Sequence, residues 1–156
     1  MPTTPEADLG RFSDREDPLV SALAQTTFVV TALLNRLCAE HDLSLTQLRV
    51  LAILRDRDRV RVSMLADHLG LERSTTTGQV DRGVRRGLLE RAASPDDGRA
   101  VDVSLTAAGL DLADTLYAAV TGSIASLTAT LGTTERRRLT ALLHRLLAAS
   151  PAARST

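Results

Sequence analysis

The sequence contains no lysine. All 19 of its basic side chains are arginines, and 19 acidic residues offset them to a formal net charge of zero. Tryptophan is also absent, and Phe12, Phe28 and Tyr117 are the only aromatic residues. None of the three falls between residues 45 and 105, which argues against a surface that binds single strands by stacking their bases. The single cysteine, Cys38, excludes an internal disulfide and fits a reducing compartment. No uninterrupted apolar run approaches the roughly 18–20 residues of a membrane span. Met1 to Glu16 is acidic and has no apolar segment of the kind a secretory signal needs. These absences predict a cytoplasmic chain with no membrane partner. No nucleophile elbow, glycine-rich phosphate loop or His-Glu zinc motif occurs, so neither enzymatic activity nor a cofactor is expected. Cys38 and His41 stand three residues apart, but two ligands make no zinc site, and His68 and His144 are isolated.

What the sequence does have is leucine and alanine, 27 and 22 of its 156 residues. A hydrophobic fraction of 44% with 24% charged residues is a globular composition, and this length implies one core. Residues 1–16 read as a flexible polar tail. From Asp17, Val20, Leu23, Thr27, Val30, Leu34 and Leu37 recur at intervals of three and four, a helical stripe of heptad type running to about Glu40. Ser44 to Gln47 has the pattern of a capping box, with Leu43 and Leu48 at the staple positions, and opens a second helix to Arg55. Ser63 reads as the cap of a short third helix that Gly70 ends. A fourth helix spans about Arg73 to Arg86 and closes at Gly87.

The period then changes to two. Leu88–Arg91 and Val101–Leu105 read as strands of a hairpin, with Val101, Val103 and Leu105 on one face and Asp102 and Ser104 on the other. Thr106 caps a long helix whose apolar stripe runs from Leu110 to Leu131. Thr133 caps a last, leucine-rich helix ended by Pro151. The fold class is therefore mainly α with a small β-hairpin wing: a winged helix-turn-helix lobe over residues 43–105 between helices at 17–42 and 106–150, with a short tail at 151–156. The two terminal regions carry more apolar surface than the small middle lobe can cover, which suits the isologous interface of a homodimer.

Val80-Asp81-Arg82-Gly83-Val84-Arg85-Arg86-Gly87-Leu88-Leu89-Glu90-Arg91, then Pro95-Asp96-Asp97-Gly98-Arg99 and Val103-Ser104-Leu105-Thr106-Ala107-Ala108-Gly109, resemble the MarR family of bacterial transcriptional regulators. So do Leu45 to Leu51 and Leu65 to Leu71, and the colinear match covers about residues 20–148. The Asp-x-Arg of the wing tip followed by Leu-Thr-x-x-Gly is its most specific part. The resemblance implies a homodimer with dimerisation helices at both ends of the chain. Such a dimer binds pseudo-palindromic promoter DNA, usually as a repressor. It also implies release by a small phenolic or lipophilic effector, or by oxidation of a thiol, with the ligand pocket between the dimerisation helices and the DNA-binding lobe. The sequence departs from the family at Gly83, where a large aliphatic is usual. Glycine there costs roughly 0.5–1 kcal/mol and leaves a packing gap that Val84 could turn inward to fill. Gln79 and Thr76 also stand where aliphatics are common.

The residues of the fourth helix make the case for double-stranded DNA independently. Ser74, Thr75, Thr77 and Gln79 carry hydroxyls and a carboxamide suited to base edges and phosphates, while Thr76 packs inward. Arg73, Arg82, Arg85 and Arg86 would neutralise phosphates, with Arg82 in reach of a guanine edge. The alternative is a solvated arginine face paired with Asp81 and Glu90. Arg99, alone on the hairpin tip, has the shape and charge to enter an A·T-rich minor groove, and Asp97 would orient the wing by pairing with an arginine. Ser63 could hold a phosphate at a helix start. Cys38 reads as a small buried hydrophobe, with a redox switch as the alternative. A winged-helix module that binds protein in place of DNA is the competing reading of the whole chain.

Divided by segment, the zero net charge comes apart. Residues 49–91 and 132–156 each carry +4, whereas residues 1–20 carry −3, 21–48 carry −1 and 92–131 carry −4. The positive charge is concentrated in the lobe proposed to meet the duplex and in the last helix.

Overall fold

The computed structural model describes residues 17–149. The tails at 1–16 and 151–156, and Pro151 as a helix stop, lie outside the described residues. The order is α1 (Pro18–Glu40), α2 (Leu45–Arg55), β1 (Val60–Arg61), α3 (Val62–Leu69), α4 (Arg73–Arg85), β2 (Leu89–Ala93), β3 (Val101–Leu105), α5 (Ala107–Leu127) and α6 (Thr133–Ala149). It is a mainly α winged helix with a small antiparallel sheet.

The caps follow from the residues that flank each helix. At α1, Asp17 accepts the Leu19 N–H at 2.9 Å and Pro18 stands in the first turn, where its missing N–H costs nothing. At α2 both halves of the capping box form: the Gln47 N–H donates to Ser44 Oγ and the Ser44 N–H to Gln47 Oε1. Gly70 and Gly87 take left-handed backbones, φ 66° and 70°, and end α3 and α4. The Thr106 hydroxyl accepts the Gly109 N–H and donates to the Gly87 carbonyl, which fastens the start of α5 to the end of α4. A Cβ at Gly109 would collide with the Leu88 carbonyl, so only glycine lets these segments touch.

The sheet has the order β1-β3-β2, with Val60 opposite Val103, Leu89 opposite Leu105 and Arg91 opposite Val103. Leu48, Leu51 and Leu54 of α2, Leu65 and Leu69 of α3, Val80 of α4, Leu89, Val103, and Ala113 and Leu116 of α5 form one buried cluster. Leu34, Leu37 and Cys38, in the last turns of α1, pack against it.

Several expectations are corrected. Two residues, Val60–Arg61, form a strand where the sequence read as a polar link. Helix α3 starts at Val62 directly from that strand, with Arg61 at the cap position and no side-chain cap, so Ser63 lies inside the first turn. On β3 the alternation slips: Asp102 is only 8% exposed and Val101 is 42% exposed. β3 is the central strand, so Asp102 is flanked by Arg61 and Ala92, while Val101 lies at the wing end beyond the core. No gap opens at Gly83, because the Leu89 side chain occupies the space where a Cβ would stand 2.5 Å from its Cδ1, and Val84 stays exposed. At α6, Thr133 is the first helical residue, and the Gly132 N–H meets Glu135 Oε2 at 2.8 Å. Finally, α1 is long enough and, at mean hydropathy 1.4, apolar enough to cross a membrane, because interspersed Thr, Ser and Gln interrupt the apolar run without making the helix polar.

Helix α5 ends at Leu127, where its stripe was expected to run on to Leu131. The turn that follows is closed by the Leu131 N–H donating to the Thr128 carbonyl. Beyond this turn α6 has no buried residue, and Leu139, Leu142, Leu143, Leu146 and Leu147 are all exposed.

Candidate nucleic-acid interface

Helix α4 is polar on three sides and apolar on one. Thr76, Val80 and Gly83, spaced four and three apart, are its buried residues. Thr76 is fully buried, as its inward reading requires, and its hydroxyl donates to the Glu72 carbonyl at 3.1 Å. This pinning turns Arg73, Ser74, Thr75 and Thr77 to solvent in the first turns, and Arg82 and Arg85 farther along. Among the described residues, Arg73, Arg82, Arg85 and Arg99 make no ion pair.

An open cleft of about 490 Å³ lies between the start of α3, the start of α4 and the wing. It gathers Ser63, Arg73, Thr77, Asp97 and Arg99 from the sequence-derived set, and adds Arg61 and Arg91. Even with Arg91 paired to a carboxylate outside the lining, three further guanidinium groups face the single Asp97 carboxylate, an excess of positive charge suited to a polyanion. Arg61 is held by the Ser94 hydroxyl at 3.2 Å, and Arg91 pairs with Asp81 of α4 at 2.5 Å. The sequence reading missed both. Arg61 belongs to an arginine–aspartate alternation that reads as a linker, and Arg91 to a strand whose outward side was left unassigned. The two-residue register that places Arg61 opposite Asp102 is the missing information.

Asp97 forms no ion pair among the described residues. Its carboxylate instead accepts the backbone N–H of Arg99 at 3.1 Å, an Asx-type turn that shapes the wing tip and leaves the Arg99 guanidinium unspent. Ser74, Arg82 and Arg85 lie on the outward side of α4, and Thr75 faces a separate open groove beside Asp67 and Glu72. Two residues of the expected set lie elsewhere. Gln79 turns toward Leu43, Gln47 and Leu89, and its buried Oε1 has no hydrogen-bond partner among the described residues. Its position, three residues after Thr76 and one before Val80, puts it on the flank of the buried face. Arg86 donates through Nη1 to the Asp42 carbonyl at 2.7 Å and through Nη2 to the His41 carbonyl at 2.9 Å. Both donors are directed at the end of α1, away from the cleft.

A second cavity, about 270 Å³ and almost wholly apolar, opens between α1, α2 and α5 among Leu34, Leu48, Leu51 and Leu116. Arg49, Arg55 and Tyr117 stand at its edge. Arg55 stacks over the Tyr117 ring at 4.1 Å and bonds Asp114 at 2.6 Å, and that hydrogen bond raises its pKa further. Cys38 is buried, and burial pushes its thiol above the ordinary value, which favours the inert thiol over the reactive thiolate.

Comparison with known proteins bears on the same residues. A sequence model described as the MarR family matches residues 43–101. Among curated relatives, a helix-turn-helix transcriptional repressor, IacR of Pseudomonas putida, is 36% identical over 77 residues, 49% of this chain and 46% of the relative. The match spans less than half the length of the curated relatives. Among solved structures, a probable transcriptional regulator from Pseudomonas aeruginosa is 31% identical with TM-score 0.69, covering 83% of this chain and 97% of that one. Wild-type MarR from Escherichia coli superposes with TM-score 0.73 at 27% identity, covering 85% and 98%.

Proposed function

The chain belongs to the MarR family of transcriptional regulators, and from that premise we propose that it binds double-stranded DNA as a homodimer on pseudo-palindromic promoter sites and acts there as a repressor. The observation that carries this reading is the cleft in which Arg61, Arg73, Arg91 and Arg99 converge from three separate elements. Helix α4 enters the major groove with Ser74, Thr75, Thr77, Arg82 and Arg85 toward bases and phosphates. The wing reaches the adjacent minor groove, where the narrow A·T-rich form has the negative potential that Arg99 meets. Ser63 and the first-turn amides of α3 hold a backbone phosphate, with Arg61 and Arg91 beside it. Acting on chromosomal DNA, the protein works in the cytoplasm.

Two further features support the finer parts of the proposal. The exposed leucines of α6, and separately Leu19, Val20, Leu23 and Phe28 of α1, are apolar faces that a second copy would cover. The cavity between α1, α2 and α5 suits a small lipophilic effector with an acidic group, which Arg49 in its lining would receive. Such a ligand would bear on α5 and on the lobe together.

Footprinting and mobility shift on the organism's own genomic DNA test the reading. Two protected patches about one helical turn apart are expected. The logarithm of affinity should fall against that of salt, by about 0.9 for each phosphate contacted. Binding that ignores salt, or no protected site, would favour the winged-helix protein-interaction module.

A further inference from the structure

We infer that Arg86 is a positioning residue: it ties the C-terminal end of the reading helix α4 to the C-terminal end of α1, and so fixes the angle at which α4 is presented. The inference rests on the DNA-binding reading for its consequence, but the tie itself is a feature of the free protein. Arg86 occupies the cap position of α4, and its guanidinium spans two successive carbonyls, those of His41 and Asp42. A planar fork with two parallel donors fixes direction as well as distance, which a single ammonium cannot do.

The receiving end is built for this. α1 closes with the Leu43 N–H donating to the Cys38 carbonyl at 2.8 Å, and Asp42 takes a left-handed backbone, φ 53°. That turn presents the His41 and Asp42 carbonyls toward Arg86, at the end of a helix where cations are favoured. Cys38 and Leu37, in the turn just before, pack into the core of the lobe, so this end of α1 is anchored. The rest of α1 leaves the lobe, and Leu19, Val20, Leu23 and Phe28 lie exposed along it. A shift of α1 against a second copy is therefore passed by Arg86 to the last turn of α4. Among the described residues, no other side chain of α4 bonds to α1.

The test uses the full-length protein with Arg86→Ala, Arg86→Lys and the control Arg85→Ala. The probes are a genomic fragment protected in the footprint and poly(dI-dC). For both Arg86 variants, affinity for the genomic fragment should fall by about tenfold, while affinity for poly(dI-dC) changes less than about twofold and the salt slope is unchanged. Arg85→Ala should weaken both probes together and lower the slope by about 0.9. In the free protein, hydrogen exchange at residues 41–43 and 83–86 should speed up in both Arg86 variants but not in Arg85→Ala. If Arg86→Ala instead lowers the slope by about 0.9 and Arg86→Lys restores it, Arg86 is a phosphate contact and the inference is overturned. Unchanged exchange in both Arg86 variants overturns it as well. Should Arg86→Ala fail to fold, Arg86→Lys alone decides. A wild-type protein that does not prefer the genomic fragment defeats the proposed function, and the exchange measurement still decides the tie.

Discussion

Two leucine-rich regions of this chain meet opposite fates. In the lobe, Leu48, Leu51, Leu54, Leu65, Leu69 and Leu89 are all buried, whereas on α6 the five leucines from Leu139 to Leu147 are all exposed, Leu147 by 61%. Leucine content does not separate the regions; what each helix can reach does. Helices α2, α3 and α4 are short, and the three-stranded sheet brings them across one another, so each apolar stripe finds another within the same few turns. α6 follows a turn that takes it off the body, and α5 records the change along its own length: Ala113 and Leu116 are buried near its start, Ile124 and Leu127 exposed near its end. An isolated helix of 17 residues is marginal in water. Its apolar face is stable only against something else, and in the proposed function that is a second copy.

Breaking the exposed region should have the largest effect on function. Leu142→Asp with Leu146→Asp places two charges on the face that a second copy would cover. The expected outcome is a species of monomer mass, 16.7 kDa, by light scattering. Operator affinity should fall by about a thousandfold, because two linked half-sites become two separate weak ones. A dimer that survives both charges would show that α6 lies outside the interface. Breaking the buried region should act on stability instead. Leu65 is fully buried, and Leu65→Ala should lower the unfolding free energy by about 3 kcal/mol in a denaturant titration. A loss under about 1 kcal/mol would mean that the lobe relaxes around the hole.

The contrast also governs how much could be read in advance. The α2 capping box, the glycines that end α3 and α4, and the inward Thr76 were legible because each depends on neighbours within four residues. Ser63 was misread as a cap because nothing local announces that Val60–Arg61 pairs with β3 and brings the chain straight into α3. Asp102 and Gly83 were misread for the same kind of reason: one sits on the central strand, covered on both sides by β1 and β2, and Leu89 fills the place of the other's missing side chain. Of the residues singled out by type and position, Arg73, Thr77 and Arg99 line the candidate cleft. Arg61 and Arg91, which line the same cleft, were not singled out, and Arg86, expected at a phosphate, donates to the His41 and Asp42 carbonyls. A guanidinium reaches far enough that only the fold decides between an anion and a carbonyl.

A smaller effect separates the wing from the body of the lobe. Arg99 is exposed, its backbone N–H is held by Asp97, and its guanidinium makes no ion pair among the described residues. Arg99→Ala should therefore leave the melting temperature unchanged and weaken operator binding several-fold, about 1 kcal/mol, most strongly on sites with A·T-rich flanks. Equal affinities for variant and wild type would remove the wing from the interface.

The smallest effect is expected at Gly78, and it distinguishes the buried side of α4 from its outward side more sharply than any charge change. Gly83, on the buried side, has Leu89 in the place of its side chain; a Cβ at Gly78 meets nothing within 4 Å. A glycine in open space inside a helix sacrifices roughly 0.5–1 kcal/mol relative to alanine. Gly78→Ala should therefore stabilise the protein by that amount, a rise of about 1–4 °C in melting temperature for a chain of this size. Gly78 lies four residues from both Ser74 and Arg82, in the row that would face the groove. If the backbone of α4 approaches the duplex there, the added methyl group weakens operator binding while it strengthens the fold. Opposite signs in the two measurements are the expected result. A variant that gains stability and keeps full affinity would show that this row stands back from the DNA, leaving recognition to the longer side chains of Arg82 and Arg85.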